Sequence, residues 1–295
     1  MTAIHRRSLG RRSQAFRRPR AHGFTLVEVM LAVGFLGMII GAVAWMNVGV
    51  IAITQRVTAT STLQSQARLS LDGMISDIHS SDKVLASYGS YASGTNSALI
   101  LEQPAYSTNG TILAGQYDHT IYHLVGSSAP YTLNRVVTAV SGSARVSAAD
   151  IVLAKNVQSL TFTCLVDQAV TGDGTTTRFG MNATLAGTVA TWVQSAQQNG
   201  TALTVVMSAP SAGQVEFLSA SVTPPFPQGS VQFGSAPAPG DGVDLQYSVD
   251  PSNSTSAGQI TQVTVDLHVG STDASLGPSG TESVEMVDST NLHNH

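Results

Sequence analysis

Residues 24–53 form an almost unbroken apolar run, interrupted only by Thr25, Glu28 and Asn47 and holding no Lys or Arg. No other feature constrains the chain so strongly. A helix of that length reaches about 45 Å, more than the roughly 30 Å hydrocarbon core of a bilayer. The run therefore predicts one membrane-spanning helix.

Charge gives that helix a direction. Residues 1–23 hold seven arginines (Arg6, Arg7, Arg11, Arg12, Arg17, Arg18 and Arg20) and no acid. The rest of the chain holds seven basic residues against 18 acidic ones, a net of −11. Such a body offers no basic surface to nucleic acid, and no nucleic-acid partner is expected. The arginines instead fix the N-terminus on the cytoplasmic side. An ordinary secretory signal has a shorter apolar core and a small-residue cut site behind it; this run is too long and no such site follows. The three Arg-Arg pairs suggest a twin-arginine signal, but the apolar region starts too far from them. A plain signal anchor would leave Glu28 without a purpose.

Glu28 is the costly residue. A carboxylate in hydrocarbon costs about 2.5–3.5 kcal/mol even on a lenient scale, so it needs a cation at its own depth or must reach the near interface. Its context is the string Gly23-Phe24-Thr25-Leu26-Val27-Glu28 behind a basic leader. This string resembles the processing signal of the type IV pilin and pseudopilin superfamily. The resemblance implies that prepilin peptidase cuts after Gly23 and methylates the new amine of Phe24. It also implies that Glu28 pairs with the N-terminus of a neighbouring subunit during assembly. An α-amino group, with a pKa near 7.7–8.0, is largely charged at neutral pH and can neutralise that acid.

Gly37 and Gly41 make a G-x-x-x-G pair on one helix face, a spacing that lets helices approach closely in lipid. Trp45 stands where many members of the superfamily carry a proline, so no proline kink is expected there. Past the apolar run, Val57, Leu63, Ala67, Leu71, Met74, Ile75 and Ile78 recur at helical spacing, with polar residues on the other faces. A single helix over residues 24–79, about 80 Å long, is expected. Its first half (24–53) spans the membrane and its second half (54–80) is amphipathic and packs on a globular domain.

After residue 80 the pattern changes to short alternating runs between Gly-, Ser-, Pro- and Asn-rich stretches. Strands are expected over residues 98–101, 119–125, 133–140, 151–153, 157–165, 202–208, 214–222, 231–234, 242–249 and 259–269. The fold class is thus α+β, with the long helix packed on antiparallel β-sheets in a domain over 81–270. The order of these runs resembles large minor pseudopilins of the type II secretion J type and PilW-like minor pilins. That likeness covers residues 6–165 and 255–270. Residues 172–256 depart from it and read as a β-rich insertion, either a small subdomain or a set of long loops. Residues 271–295 read as a polar, frayed tail.

Candidate chemistry in the body is thin. His119 and His123 would share a helix face, but their surroundings read as a strand, where four residues span about 13 Å and no single metal is reached. Asp167 and Asp173 with Gly174, and Asp241, Asp244 and Asp250, lie in loops without EF-hand spacing and read as solvated carboxylates rather than calcium ligands. The lone Cys164 reads as a buried strand residue. No nucleophile elbow, P-loop, zinc-protease helix or dinucleotide fingerprint is present. No catalytic set, metal or cofactor is expected, and a tethered hydrolase is the weakest reading.

The function that follows is structural: a minor pilin or pseudopilin of a type IV pilus or a type II secretion pseudopilus. Its expected partners are other pilin or pseudopilin subunits, the prepilin peptidase/methyltransferase and inner-membrane lipid. Its expected place is the inner membrane, crossed once, with the C-terminal domain periplasmic or carried outside in a filament. The alternative is an adhesin or substrate-binding subunit on the same stalk.

Overall fold

The computed structural model describes residues 24–94, 98–183, 194–218, 230–271 and 282–293. Two compact units divide the chain, Met1–Ile53 and Thr54–His295.

Helix α1 runs without a break from Leu26 to His79, 54 residues. The sequence permits this because no proline falls in it and Trp45 takes the place where a kink would arise. Up to Ile53 its apolar side chains are bare, Trp45 at 81% and Met38 at 72% exposure. Among the described residues α1 is the one helix long and apolar enough to cross a membrane.

Within the second unit the helix behaves differently. Leu63, Ala67, Leu71, Met74 and Ile78 are buried and share one core with the strands. Their spacing is the stripe expected from sequence, except that Val57 remains 64% exposed. Each large side chain so covered stabilises the packing by about 1.5–3 kcal/mol.

The second unit is otherwise β. The strands are β1 (Lys83–Val84), β2 (Ser87–Tyr88), β3 (Tyr91–Ala92), β4 (Leu99–Tyr106), β5 (Ile112–Val125), β6 (Tyr131–Thr138), β7 (Ala148–Thr171), β8 (Arg178–Gly180), β9 (Gln194–Gln198), β10 (Thr201–Val206), β11 (Gln214–Leu218), β12 (Ser230–Phe233), β13 (Gly242–Val249), β14 (Gln262–Ser271) and β15 (Glu282–Asn291). One helical turn, α2 (Ser254–Ala257), is capped by Asn253. Thirteen strands form one sheet, and β2 with β3 makes a separate two-stranded hairpin. All pairings are antiparallel except β10 with β11.

β7 is the spine of this sheet. The stretches 151–153 and 157–165, expected as two strands, are one strand of 24 residues. Asn156, between them, takes φ 59°, and Asp150 takes φ 50°. Both bend the strand without ending it, and the register against β6 slips along this stretch. Val157 pairs with both Tyr131 and Val269, while Cys164 and Leu165 pair with both β13 and β14. A strand has only two edges, so β6 and β13 follow one another along one edge and β14 lies along the other.

The described part of residues 172–256 holds strands β8–β13. β13 joins their strands to the last third of β7, and the order continues β9, β10, β11, β12, β8. The β9–β10 hairpin turns on Asn199-Gly200, both at positive φ (49° and 75°), the geometry that an Asn-Gly pair adopts at low cost.

Of the frayed tail expected over 271–295, the described residues form a strand instead. β14 runs to Ser271, and Glu282–Asn291 forms β15, paired with β14 over ten residues. Leu292 behind it is buried, and the His293 backbone N–H donates to the Ser81 carbonyl. The polar letters misled: Ser283, Glu285, Val287, Asp288 and Ser289 are exposed positions of a strand whose Val284 and Met286 pack on the core.

Candidate functional site

The first turn of α1 is where the sequence places its chemistry. Thr25 precedes the first helical residue and Glu28 sits at the third helical position. The Thr25 backbone N–H and its hydroxyl both donate to Glu28 Oε2, each at 3.2 Å. The Glu28 N–H donates in return to Thr25 Oγ1 at 3.3 Å. This is a capping box, and it satisfies two of the four backbone donors a helix start leaves open. The carboxylate also lies at the positive end of the helix dipole. The T-x-x-E spacing of Thr25 and Glu28 is the sequence signature of such a box. Phe24, one residue earlier, is 84% exposed. Gly23 and the leader lie outside the described residues.

Gly37 and Gly41 lie on the exposed part of α1, and a Cβ at either would meet nothing within 4 Å. They leave the helix backbone open to close approach, and no packing among the described residues accounts for them.

A second constellation holds the other end of the helix. Arg135 Nη2 lies 2.7 Å from Asp77 Oδ2, and the Tyr122 hydroxyl donates to that same oxygen. Gln103 Nε2 donates to the Asp77 carbonyl and to Ser80 Oγ, both at 2.9 Å. Gln103 Oε1 accepts from Thr120 Oγ1 at 3.0 Å. Burial first, and the Asp77 carboxylate second, raise the Tyr122 pKa well above the usual range near 10. The set ties the last turn of α1 to β4, β5 and β6 and satisfies the Asp77 carbonyl, one of those the helix end would leave bare.

His119 and His123 lie in strand β5, as expected from their surroundings. Tyr88 stacks on His119 with centroids 3.9 Å apart, and Tyr91 packs on His123 at 5.0 Å. The β2–β3 hairpin thus covers both rings. His119 Nε2 is 3.7 Å from Glu102 Oε2, and Lys83 Nζ is 2.9 Å from Glu102 Oε1. Burial lowers the His119 pKa despite the neighbouring Glu102 and Asp118 carboxylates. Among the described residues no three His, Cys, Asp or Glu side chains are grouped to hold a metal ion.

Of the aspartates expected in loops, Asp173, Asp241 and Asp250 lie outside the strands, whereas Asp167 lies in β7 and Asp244 in β13, each within the β7–β13 ladder. Asp173 accepts from the backbone N–H groups of Thr175 and Thr176, at 2.8 and 2.6 Å, and from the Thr176 hydroxyl. Those bonds hold its carboxyl well below the usual range. Asp241 accepts from Asn199 Nδ2 (2.7 Å), Gln198 Nε2 (2.6 Å) and the Ala238 N–H (2.9 Å), and its pKa is lowered for the same reason. Asp167 takes Gln246 Nε2 at 2.9 Å and Thr261 Oγ1 at 3.0 Å, and Asp250 takes the Ser252 N–H at 2.8 Å. Asp118, fully buried, anchors Val140, Ser143 and Arg145. Cys164 is buried, and burial pushes its thiol up to about 12. A thiol so held is protonated and inert at neutral pH.

No family model, curated protein or solved structure matches the chain.

Proposed function

We propose that this chain is a minor pilin or pseudopilin, a structural subunit that enters the inner membrane with its N-terminus in the cytoplasm. It is cut between Gly23 and Phe24, methylated on Phe24, and assembled through α1 with other subunits of a type IV pilus or type II pseudopilus. The observation that carries the reading is the start of α1: a glycine–phenylalanine junction behind seven arginines, one acid in the first helical turn, and then a bare apolar helix. The Thr25–Glu28 box supports a helix that begins two residues after the cut. Release of the leader turns the Phe24 nitrogen into an amine, the cation that a buried Glu28 of a neighbouring subunit lacks. Among the described strands, β13 is the one of β8–β13 that pairs with β7, at its end, which supports an insertion over 172–256 in a pseudopilin-like sheet.

Mass spectrometry of the protein isolated from membranes tests the reading. The expected N-terminus is N-methyl-Phe24. An intact Met1, or a cut at another bond, overturns it. In cells, Glu28→Ala is expected to be processed normally yet to leave the subunit out of filaments.

A further inference from the structure

We infer that His123, Asn134 and Asp150 form a binding site for a divalent transition-metal ion of the zinc type. The inference stands on the sheet and does not rest on the filament reading.

Three neighbouring strands supply the groups. His123 of β5 pairs directly with Asn134 of β6, so their side chains leave the sheet on one face. Asn134 pairs on its other side with Val152 of β7, and Asp150 stands two residues before Val152. Asp150 holds φ 50°, a backbone that residues other than glycine seldom take and that the surrounding structure has to impose. At that bend its carboxylate meets both partners. Oδ1 lies 3.3 Å from His123 Nε2 and 3.3 Å from Asn134 Nδ2.

The bonding within this cluster is incomplete. His123 Nε2 and Asn134 Oδ1 are both buried, and neither has a hydrogen-bond partner among the described residues. Asn134 is only 7% exposed and the His123 side chain 13%. A buried polar atom left so is costly. With its proton on Nδ1, His123 offers a lone pair at Nε2. The amide oxygen and the carboxylate offer lone pairs as well, and one group that answers all three is a cation.

The distances suit such an ion. Two ligand atoms, each about 2.1 Å from a tetrahedral ion, stand about 3.4 Å apart, close to both separations at Asp150 Oδ1. A half-turn of the Asn134 amide puts its oxygen where its nitrogen stands, since the two are nearly alike in size and place. Asn134 thereby supplies what a third His, Cys, Asp or Glu would in a more usual set. The Asp150 side chain is 60% exposed, which leaves the fourth position to water. The imidazole selects the metal: calcium and magnesium take oxygen ligands, whereas imidazole suits zinc and its neighbours. His119 is no part of the site. It stands four residues away along β5, about 13 Å, and faces Glu102.

Isothermal titration of the full chain in detergent micelles with zinc chloride, at about pH 7, tests the site. His123→Ala and Asp150→Asn are each expected to weaken zinc binding at least about tenfold, as loss of a metal's partner groups does. His119→Ala is expected to leave it unchanged. Asn tolerates the left-handed backbone of position 150, so Asp150→Asn keeps the fold. In wild-type protein labelled at its histidine nitrogens, zinc is expected to move the His123 ring resonances and leave those of His119 in place, and calcium chloride to move neither. Zinc binding that both variants retain overturns the inference, since the ion is then held elsewhere. So does a His123 signal that zinc does not move, whatever the variants do, and so does an equal response to calcium.

Discussion

Tyr122 is fully buried with its hydroxyl on a carboxylate, and this has a consequence for alkaline stability. The folded protein holds the Tyr122 proton to higher pH than the unfolded chain, whose tyrosines titrate near 10. The stabilisation is complete below about pH 10 and is lost as pH rises above it, with a slope of up to about 1.4 kcal/mol per pH unit. Urea unfolding between about pH 9 and about pH 11 is expected to show that slope, and Tyr122→Phe to reduce it. Cys164, pushed up to about 12, leaves a remaining slope in the variant. None of this was legible in the sequence. Asp77, Tyr122 and Arg135 are scattered over three elements, and only the register of β5 and β6 sets Arg135 beside Tyr122. Glu28 is the opposite case, since its capping box is made with Thr25, three positions before it.

At the scale of elements, legibility followed periodicity. The helix was readable because its apolar spacing persists past the membrane run, and β13 because Gly242–Val249 alternates between turn signals. β15 was missed because half of an amphipathic edge strand is polar and nothing in the sequence names its neighbour. β9 was missed although Asn199-Gly200 marks its turn, because Gln194–Gln198 has hardly an apolar residue. β7 was divided because a bulge residue at positive φ resembles a turn when the ladder around it is unseen. Close packing between elements adds a further test. A Cβ on Gly234 would collide with the Ser211 backbone, and one on Gly172 with the Ala238 carbonyl. Backbone cannot yield as a flexible side chain can, so Gly234→Ala is expected to cost about 2 kcal/mol or more, read as a lower urea midpoint. Gly73→Ala, where a Cβ meets nothing within 4 Å, is expected to gain up to about 1 kcal/mol instead.

For the molecule as a whole, β15 does more than finish the chain. It covers one edge of β14, whose Val263, Val265, Leu267 and Val269 are fully buried, and Leu292 behind it joins the same core. A chain ending at Ser271 is therefore expected to expose that edge. Its body should bind a hydrophobic dye and be cleaved by protease under conditions where the full chain resists, and equal resistance of the two would refute the assignment.

β7 also has a meaning as a mechanical part. At 24 residues it reaches at most about 80 Å, and β6, β14 and β13 are fastened along it one after another. A pull along β7 loads each of these ladders in shear, so that many hydrogen bonds are strained together rather than opened in turn. Tension applied to the β8–β13 end of the sheet is carried down a single continuous strand to the region that holds α1 through Asp77. The sheet is built as a tie-rod, with β7 as its continuous member.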